Sequence, residues 1–330
     1  MQARKSLLSL AVLVAISGSA MADSSTVNTT QDGSSHTLNV EQQGATQSTV
    51  NINQTGTRNG ARATQSATYS TLNIKQDGFF NSGSAKQAGN NNTATVTQNG
   101  SGGGSLPQVA TLDQSGSYST ATISQDANFR TSASITQGGG SNNTASTYQA
   151  GNSTIVGGGV TQSGSYNLGS VSQQNNNNTV TGSVTQSGNG NTGTVSQQYN
   201  SNLVFATLQQ TGNNNLGSIQ QTGTHFSSAS ALQRGDYNTA NLYQNGTGLN
   251  ADVQQRGNNN FASSTQTGAY NEESLLQTGN SNRAVVSQTG GGSGSSSGVN
   301  LVGVTQTGNN MVANVTQTGG SGNVATIYQH

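Results

Sequence analysis

The chain has 330 residues, of which 29% are hydrophobic and 6% charged, with one Pro and neither Cys nor Trp. Its formal net charge is zero, so no basic face is available for nucleic acid or anionic lipid, and the lack of Cys excludes a disulfide framework and thiolate chemistry. A chain this poor in large apolar side chains would ordinarily be disordered, unless a repeat orders it.

From the N-terminus, Arg4 and Lys5 precede an apolar run from Leu7 to Ile16 and then Ala20-Met21-Ala22. Together these predict a secretory signal peptide over residues 1–22 with an Ala-x-Ala cleavage site, since about ten apolar residues are too few to span a bilayer. The expected mature chain begins at Asp23, is exported and, having lost Arg4 and Lys5, is slightly acidic.

Beyond that point one unit recurs. Residues Gln87 to Gln98 read Gln-x-Gly-x-x-Asn-x-Ala-x-Val-x-Gln, and the pattern returns at Gln54, Gln210, Gln233, Gln255 and Gln277. The closing Gln marks a series: Gln31, Gln42, Gln54, Gln65, Gln76, Gln87, Gln98, Gln114, Gln125, Gln137, Gln149, Gln162 and Gln173. It continues through Gln186, Gln197, Gln210, Gln221, Gln233, Gln244, Gln255, Gln266, Gln277, Gln288, Gln306, Gln317 and Gln329. Steps of roughly 11 to 13 residues, with two longer ones at Gln98 to Gln114 and Gln288 to Gln306, are the register of a solenoid with short strands.

Alternate side chains of a strand point to opposite faces. Counting back from Gln98 places Val96, Ala94 and Asn92 on one face and Thr97, Thr95 and Thr93 on the other. The same inward series recurs at Ala121-Ile123-Gln125, Gly169-Val171-Gln173, Gly217-Ile219-Gln221 and Ala325-Ile327-Gln329. Between strands, Gly56, Gly89, Gly212, Gly235, Gly257 and Gly279 are expected to supply the positive φ of a tight turn. Asn59, Asn92, Asn215, Asn238, Asn260 and Asn282 are expected to tolerate left-handed geometry and bond to local backbone.

Two strand-turn-strand units predict a flat coil of about 22 residues, stacked at about 4.8 Å on its neighbours. The fold class is therefore all-β, a β-solenoid with amyloid-like stacking, in one repeat domain over residues 23–330. A buried primary amide left unpaired costs on the order of 1 to 3 kcal/mol, so each inward Gln requires the Gln of the next coil. The predicted structural ladder comprises Gln54, Gln87, Gln98, Gln210, Gln221, Gln233, Gln244, Gln255, Gln266, Gln277, Gln288, Gln317 and Gln329 with the Asn residues above. Three stretches interrupt the period: Ser101 to Pro107, Gly157-Gly158-Gly159, and Gly290 to Gly298. All three read as surface bulges at coil corners.

No reactive constellation stands out. His36, His225 and His330 are far apart and read as exposed turn or end residues, with no metal-ligand spacing. No Ser or Thr has a plausible His and Asp partner. Glu272 and Glu273 point to opposite faces, and Glu273 takes the inward place of an Ala, reading as a gatekeeper that slows strand pairing rather than as an acid/base pair. The chain is expected to be no enzyme, with no cofactor, metal or small-molecule substrate.

The repeat resembles that of the curlin family, the subunits of bacterial amyloid fibres called curli, whose unit is Ser-x5-Gln-x-Gly-x-x-Asn-x-Ala-x3-Gln. Gln87, Gly89, Asn92, Ala94 and Gln98 match its latter part, as do Gln233, Gly235, Asn238, Ala240 and Gln244. So do Gln255, Gly257, Asn260, Ala262 and Gln266, and Gln277, Gly279, Asn282, Ala284 and Gln288. The chain has more repeats than the family members it resembles, and the Gly-rich stretch those carry after the signal peptide is barely present between Asp23 and Gln31. The resemblance implies a secreted pilus or fimbrium subunit on a Gram-negative cell, exported through an outer-membrane pore and joined by a minor nucleating subunit, with roles in biofilm matrix, adhesion and aggregation.

Because the repeat runs from Gln31 to Gln329, uncapped coils are expected to polymerise end to end. The regular last units favour the bulk fibre subunit over the nucleator. The alternative is a monomeric solenoid that binds ice or polysaccharide through outward Thr and Ser. Thr95-x-Thr97 fits such a row, but Asn51-x-Asn53, Ser170-x-Ser172 and Asn241-x-Tyr243 break it.

Overall fold

The computed structural model describes residues 24–101, 107–291 and 298–330. The expected signal peptide, most of the bulge at Ser101 to Pro107 and residues 292–297 of the third interruption lie outside them. Every regular element among the described residues is a strand, numbered β1 (Thr26–Ser34) and β2 (Thr37–Gln42) to β25 (Val312–Thr318) and β26 (Val324–Gln329). Odd-numbered strands form one 13-stranded sheet and even-numbered strands a second. All pairings are parallel, so the chain winds as a two-sided solenoid with one coil per strand pair.

Register is set by the Gln columns. Gln54 pairs with Gln76 and that with Gln98 in one sheet, Gln65 with Gln87 and that with Gln114 in the other. A slip of one residue would turn every Gln outward. Successive Gln are 22 to 25 residues apart, widening to 27 and 29 where the glycine-rich segments interrupt.

The core is thin because the two sheets sit close. At most rungs a large aliphatic on one sheet faces a small residue on the other: a Cβ on Gly217 would lie 2.5 Å from Leu208 Cδ1, and one on Gly169 2.6 Å from Val160. The alternation of small and branched residues therefore sets the sheet separation. Apolar columns of Ala, Val, Ile and Leu run the length of the stack between the amide columns.

Two expectations about the corners require correction. Gly157, Gly158 and Gly159 do not bulge; they lie within β12 (Val156–Ser163), in register with Ser132 to Ser134 and Thr181 to Ser183. Gly158 points inward, where a Cβ would sit 2.8 Å from Gln173 Oε1, so it fills the small-residue place. The additional residues fall just before it, in a wider corner. Residues 151–155, 175–179, 199–203 and 223–227 link successive strands there, whereas Arg58 and Asn59 suffice between β3 (Thr49–Thr57) and β4 (Gly60–Thr68). The wide corner has its own buried cluster, Val156, Val180 and Val204, and parallel bridges run from Ser153 through Asn177, Ser201 and His225 to Thr247.

The second correction concerns the turn Asn. The motif glycines do take positive φ, from 88° at Gly89 to 120° at Gly212. The left-handed non-glycine, however, is the residue before the Asn: Arg58, Asn91, Asn214, Tyr237, Asn259 and Ser281. The motif Asn is freed to point inward and bond.

Candidate functional site: amide columns and open end coils

Each inward Gln lies on a strand, one residue after an outward position, with its amide in the plane between coils. In the first sheet the Nε2 of Gln31 donates to the Oε1 of Gln54, and so on without a break to Gln317. In the second sheet the same chain runs from Gln42 to Gln329. Most links are close to 2.8 Å, for example Gln98 to Gln125. Inside the stack these side chains are fully buried, Gln54, Gln87, Gln98, Gln210, Gln221, Gln233, Gln244, Gln255, Gln266, Gln277 and Gln288 all at 0% exposure.

A primary amide has two hydrogens to donate, and the second crosses the coil. Gln98 reaches Ser82 O, Gln210 Thr192 O, Gln221 Phe205 O, Gln244 Ser228 O, Gln255 Thr239 O and Gln277 Phe261 O. The acceptor sits at the start of a strand in the opposite sheet. Each Gln thus ties coil to coil and sheet to sheet, a role that periodicity alone does not reveal.

The Asn residues brace the corners. Asn59, Asn92, Asn215, Asn238, Asn260 and Asn282 are buried. Their Oδ1 atoms accept backbone N–H groups of the next coil, from Asn81, Ser119, Asn238, Asn260, Asn282 and Met311 in turn. Their Nδ2 groups donate to turn carbonyls: Asn215 to Gly235, Asn238 to Gly257 and Asn260 to Gly279, each 2.7 or 2.8 Å. Gly212 accepts in the same way from Asn191. The glycines are constrained by closeness as well as by φ. A Cβ on Gly56, Gly89, Gly212, Gly235, Gly257 or Gly279 would meet the next coil's carbonyl oxygen within 2.1 Å.

The end coils differ from the interior. In β1 and β26 the inward positions are only half-buried or exposed, with Val27 at 42% exposure. Leu38, Val40, Ala325 and Ile327 cover the core only in part. The ladder has a direction. Among the described residues Gln31 and Gln42 begin the donor chains, so their Oε1 atoms face one end. At the other end Gln317 and Gln329 donate one hydrogen each across the coil, to Leu301 O and Val312 O, and the second faces outward along the stack.

Elsewhere, titratable chemistry is sparse. No group of three or more His, Asp or Glu is placed to hold a metal among the described residues, and no described helix is long and apolar enough to cross a membrane. His36 and His225 are half-buried rather than exposed. His36 Nε2 contacts Asp32 O at 3.0 Å, and His225 Nδ1 lies 2.5 Å from Ser201 Oγ in the wide corner.

Glu272 is exposed and Glu273 buried, on opposite faces of β22 (Asn271–Thr278). Burial pushes the Glu273 carboxyl up to about 8 against an ordinary 4.5, although the hydrogen bond from the Ser264 hydroxyl to its Oε2 works the other way. Its Oε1 has no partner.

No curated protein matches the chain. The model of the curlin associated repeat matches it over residues 70–100 and 257–290. These segments include the ladder residues Gln76, Gln87 and Gln98 and, further on, Gln266, Gln277 and Gln288. Both the repeat family and the solenoid are structural rather than enzymatic in kind, and at those two places the chain is similar to the curlin associated repeat.

Proposed function

We propose that this chain is the building subunit of an extracellular, curli-like amyloid fibre, assembled by end-to-end stacking of solenoids and serving biofilm matrix, adhesion and cell aggregation. The observation that carries the reading is the state of the end coils. Among the described residues each presents strand edges and a half-covered apolar column, with amide acceptors at one end and amide donors at the other. Unpaired edges template the addition of a strand, and the complementary ladder ends favour head-to-tail addition of a second copy.

In that junction Gln317 donates to Gln31 of the next copy and Gln329 to Gln42, while Ala313 and Val315 cover Val27 and Thr29. The regular last coils support a bulk subunit. A minor nucleating subunit, an outer-membrane secretion pore and a Gram-negative cell surface complete the proposal through the repeat family.

Thioflavin T fluorescence of the purified chain starting at Asp23, followed with and without preformed seeds and then by fibre diffraction, tests the reading. A lag abolished by seeds, with reflections near about 4.8 and 10 Å, is the expected result. A folded monomer that persists indefinitely in the presence of seeds overturns it.

A further inference from the structure

Both corners of the solenoid carry aromatic rings at left-handed positions, Phe80, Tyr199, Phe226 and Tyr270 before even-numbered strands and Tyr69, Tyr118, Tyr166 and Tyr237 before odd-numbered ones, and the second corner sets three of them in a regular row. The residues just before the odd-numbered strands' inward Asn or Ser form a single column along the stack, which between Gln47 and Asn259 reads Tyr69, Asn91, Tyr118, Asn142, Tyr166, Gly190, Asn214, Tyr237. Each donates its backbone N–H to the coil before it, and each has a left-handed φ between 52° and 65°. Asn and Gly adopt that conformation readily, whereas a bulky aromatic does so at a cost. Tyr69, Tyr118 and Tyr166 are nonetheless 60%, 62% and 66% exposed, so burial does not offset the cost. Tyr199 and Phe226 at the opposite corner are also left-handed and exposed but form no regular row, so it is the even spacing of Tyr69, Tyr118 and Tyr166 that points to an external partner.

The spacing narrows the choice of partner. Tyr69, Tyr118 and Tyr166 occupy every second coil, which sets them about 9 to 10 Å apart, and exposed Asn91 and Asn142 stand between them. In a β-1,4-linked glycan each pyranose is turned half a revolution from the one before, so the same ring face returns at every second sugar, at close to two strand separations. An aromatic ring offers an apolar face for the C–H side of a pyranose and a polar edge in water, while the Asn amides can donate to and accept from the hydroxyls of the alternate sugars.

We infer that this corner is a binding surface for a β-1,4-linked glucan chain lying along the solenoid axis. Tyr69, Tyr118 and Tyr166 stack against alternate sugars, and Asn91 and Asn142 bond to the sugars between. Tyr237 stands three coils beyond Tyr166 and is out of phase with the row. The inference rests on the solenoid alone and not on polymerisation.

The test is co-sedimentation of the full chain, in whatever state of assembly it adopts, with microcrystalline β-1,4-glucan and, separately, with insoluble β-1,3-glucan. The key variant replaces Tyr69, Tyr118 and Tyr166 together by Asn, the residue already found at the intervening rungs with the same φ, so the coil keeps its geometry. Retention on the β-1,4 polymer is expected to fall about tenfold or more, while Tyr237→Asn alone leaves it nearly unchanged. Undiminished retention by the triple variant overturns the inference, as does equal retention of the unaltered chain on the β-1,3 polymer. Should the variant alter only the lateral bundling of fibres, the row is a contact between copies and the glycan reading fails.

Discussion

Two neighbouring rungs of the same solenoid treat a buried polar group in opposite ways. Between β19 (Thr239–Thr247) and β20 (Asn250–Arg256), Leu242 and Ala251 fill the interior and Gln244 bonds to Gln221 and Gln266. One coil later, between β21 (Phe261–Ala269) and β22, Ser264 stands in the Leu242 column and Glu273 in the Ala251 column. The large and small places have been exchanged. Gln244 is as deeply buried as Glu273, yet all its hydrogens are bonded, whereas Glu273 has Ala251 and Val302 as column neighbours and an unpartnered Oε1. A polar side chain is inexpensive inside this fold when the next coil repeats it, and costly when it stands alone.

Breaking a repeated feature should therefore do the most damage, and most of all where recurrence has packed backbone against backbone. Gly188 has φ +116°, and a Cβ there would lie 2.0 Å from the Gly212 carbonyl oxygen. Gly188→Ala is expected to destabilise by about 3 kcal/mol or more and to slow seeded growth. Gly44 has φ +63° with nothing within 4 Å of the added methyl, so Gly44→Ala should cost only about 1 kcal/mol. Denaturation midpoints that shift equally in the two variants would show that φ alone, and not the stacking of coils, constrains the glycines.

Next in size is a break in the ladder. Gln186 accepts from Gln162 and donates to Gln210, so Gln186→Leu strands a donor above and an acceptor below, at roughly 2 to 4 kcal/mol for the pair. Gln31→Leu touches one half-exposed link and should cost about 1 kcal/mol or less. If the interior and terminal variants unfold at the same denaturant concentration, the amide columns do not stabilise the stack.

Much of this was legible in the sequence because one unit carries the rule: a Gln every 11 to 13 residues, preceded by an aliphatic at two positions and a small residue at four, determines strand, face and register together. The same reading misplaced Gly157 to Gly159, since a glycine run looks like a loop until Gln149 and Gln173 are seen to need the space above Gly158. The wide corner was present as the step of 13 from Gln149 to Gln162, but a longer step does not say which corner absorbs it. The cross-sheet bond of each Gln and the left-handed place before each Asn depend on how coils face one another, which a one-dimensional period does not encode.

The exchanged rung offers the sharpest version of the comparison. Its folded carboxyl releases a proton near 8 and an ordinary one near 4.5, so between those values the folded state holds the extra proton and stability falls as pH rises. Below the window both states are protonated and the penalty vanishes; above it the penalty is complete and constant, at roughly a few kcal/mol. The double change Ser264→Leu with Glu273→Ala copies the Leu242 and Ala251 rung and should stabilise the chain at neutral pH and flatten the profile. Either change alone should help less: Ser264→Leu by itself drives a longer side chain against Glu273, and Glu273→Ala by itself leaves a void beside Ser264. A pH slope that survives in the double variant would place the titrating group elsewhere.

The smallest effect should come from a charge pair that is equally isolated but lies outside. Lys86 and Asp113 face each other at 4.0 Å on adjacent coils, with side chains 62% and 48% exposed, and their column holds Thr64 and Thr136 on either side. Water solvates both ions in the folded and the unfolded chain, so little is gained by the contact and little lost without it. Lys86→Gln should leave the denaturation midpoint within about 0.5 kcal/mol of the parent at moderate salt. A loss as large as that of Gln186→Leu would mean that departure from the repeat is penalised on the outer face too. A null result, set against Glu273, confines the penalty to the dry space between the sheets, where a side chain can be satisfied only by its counterpart one coil away.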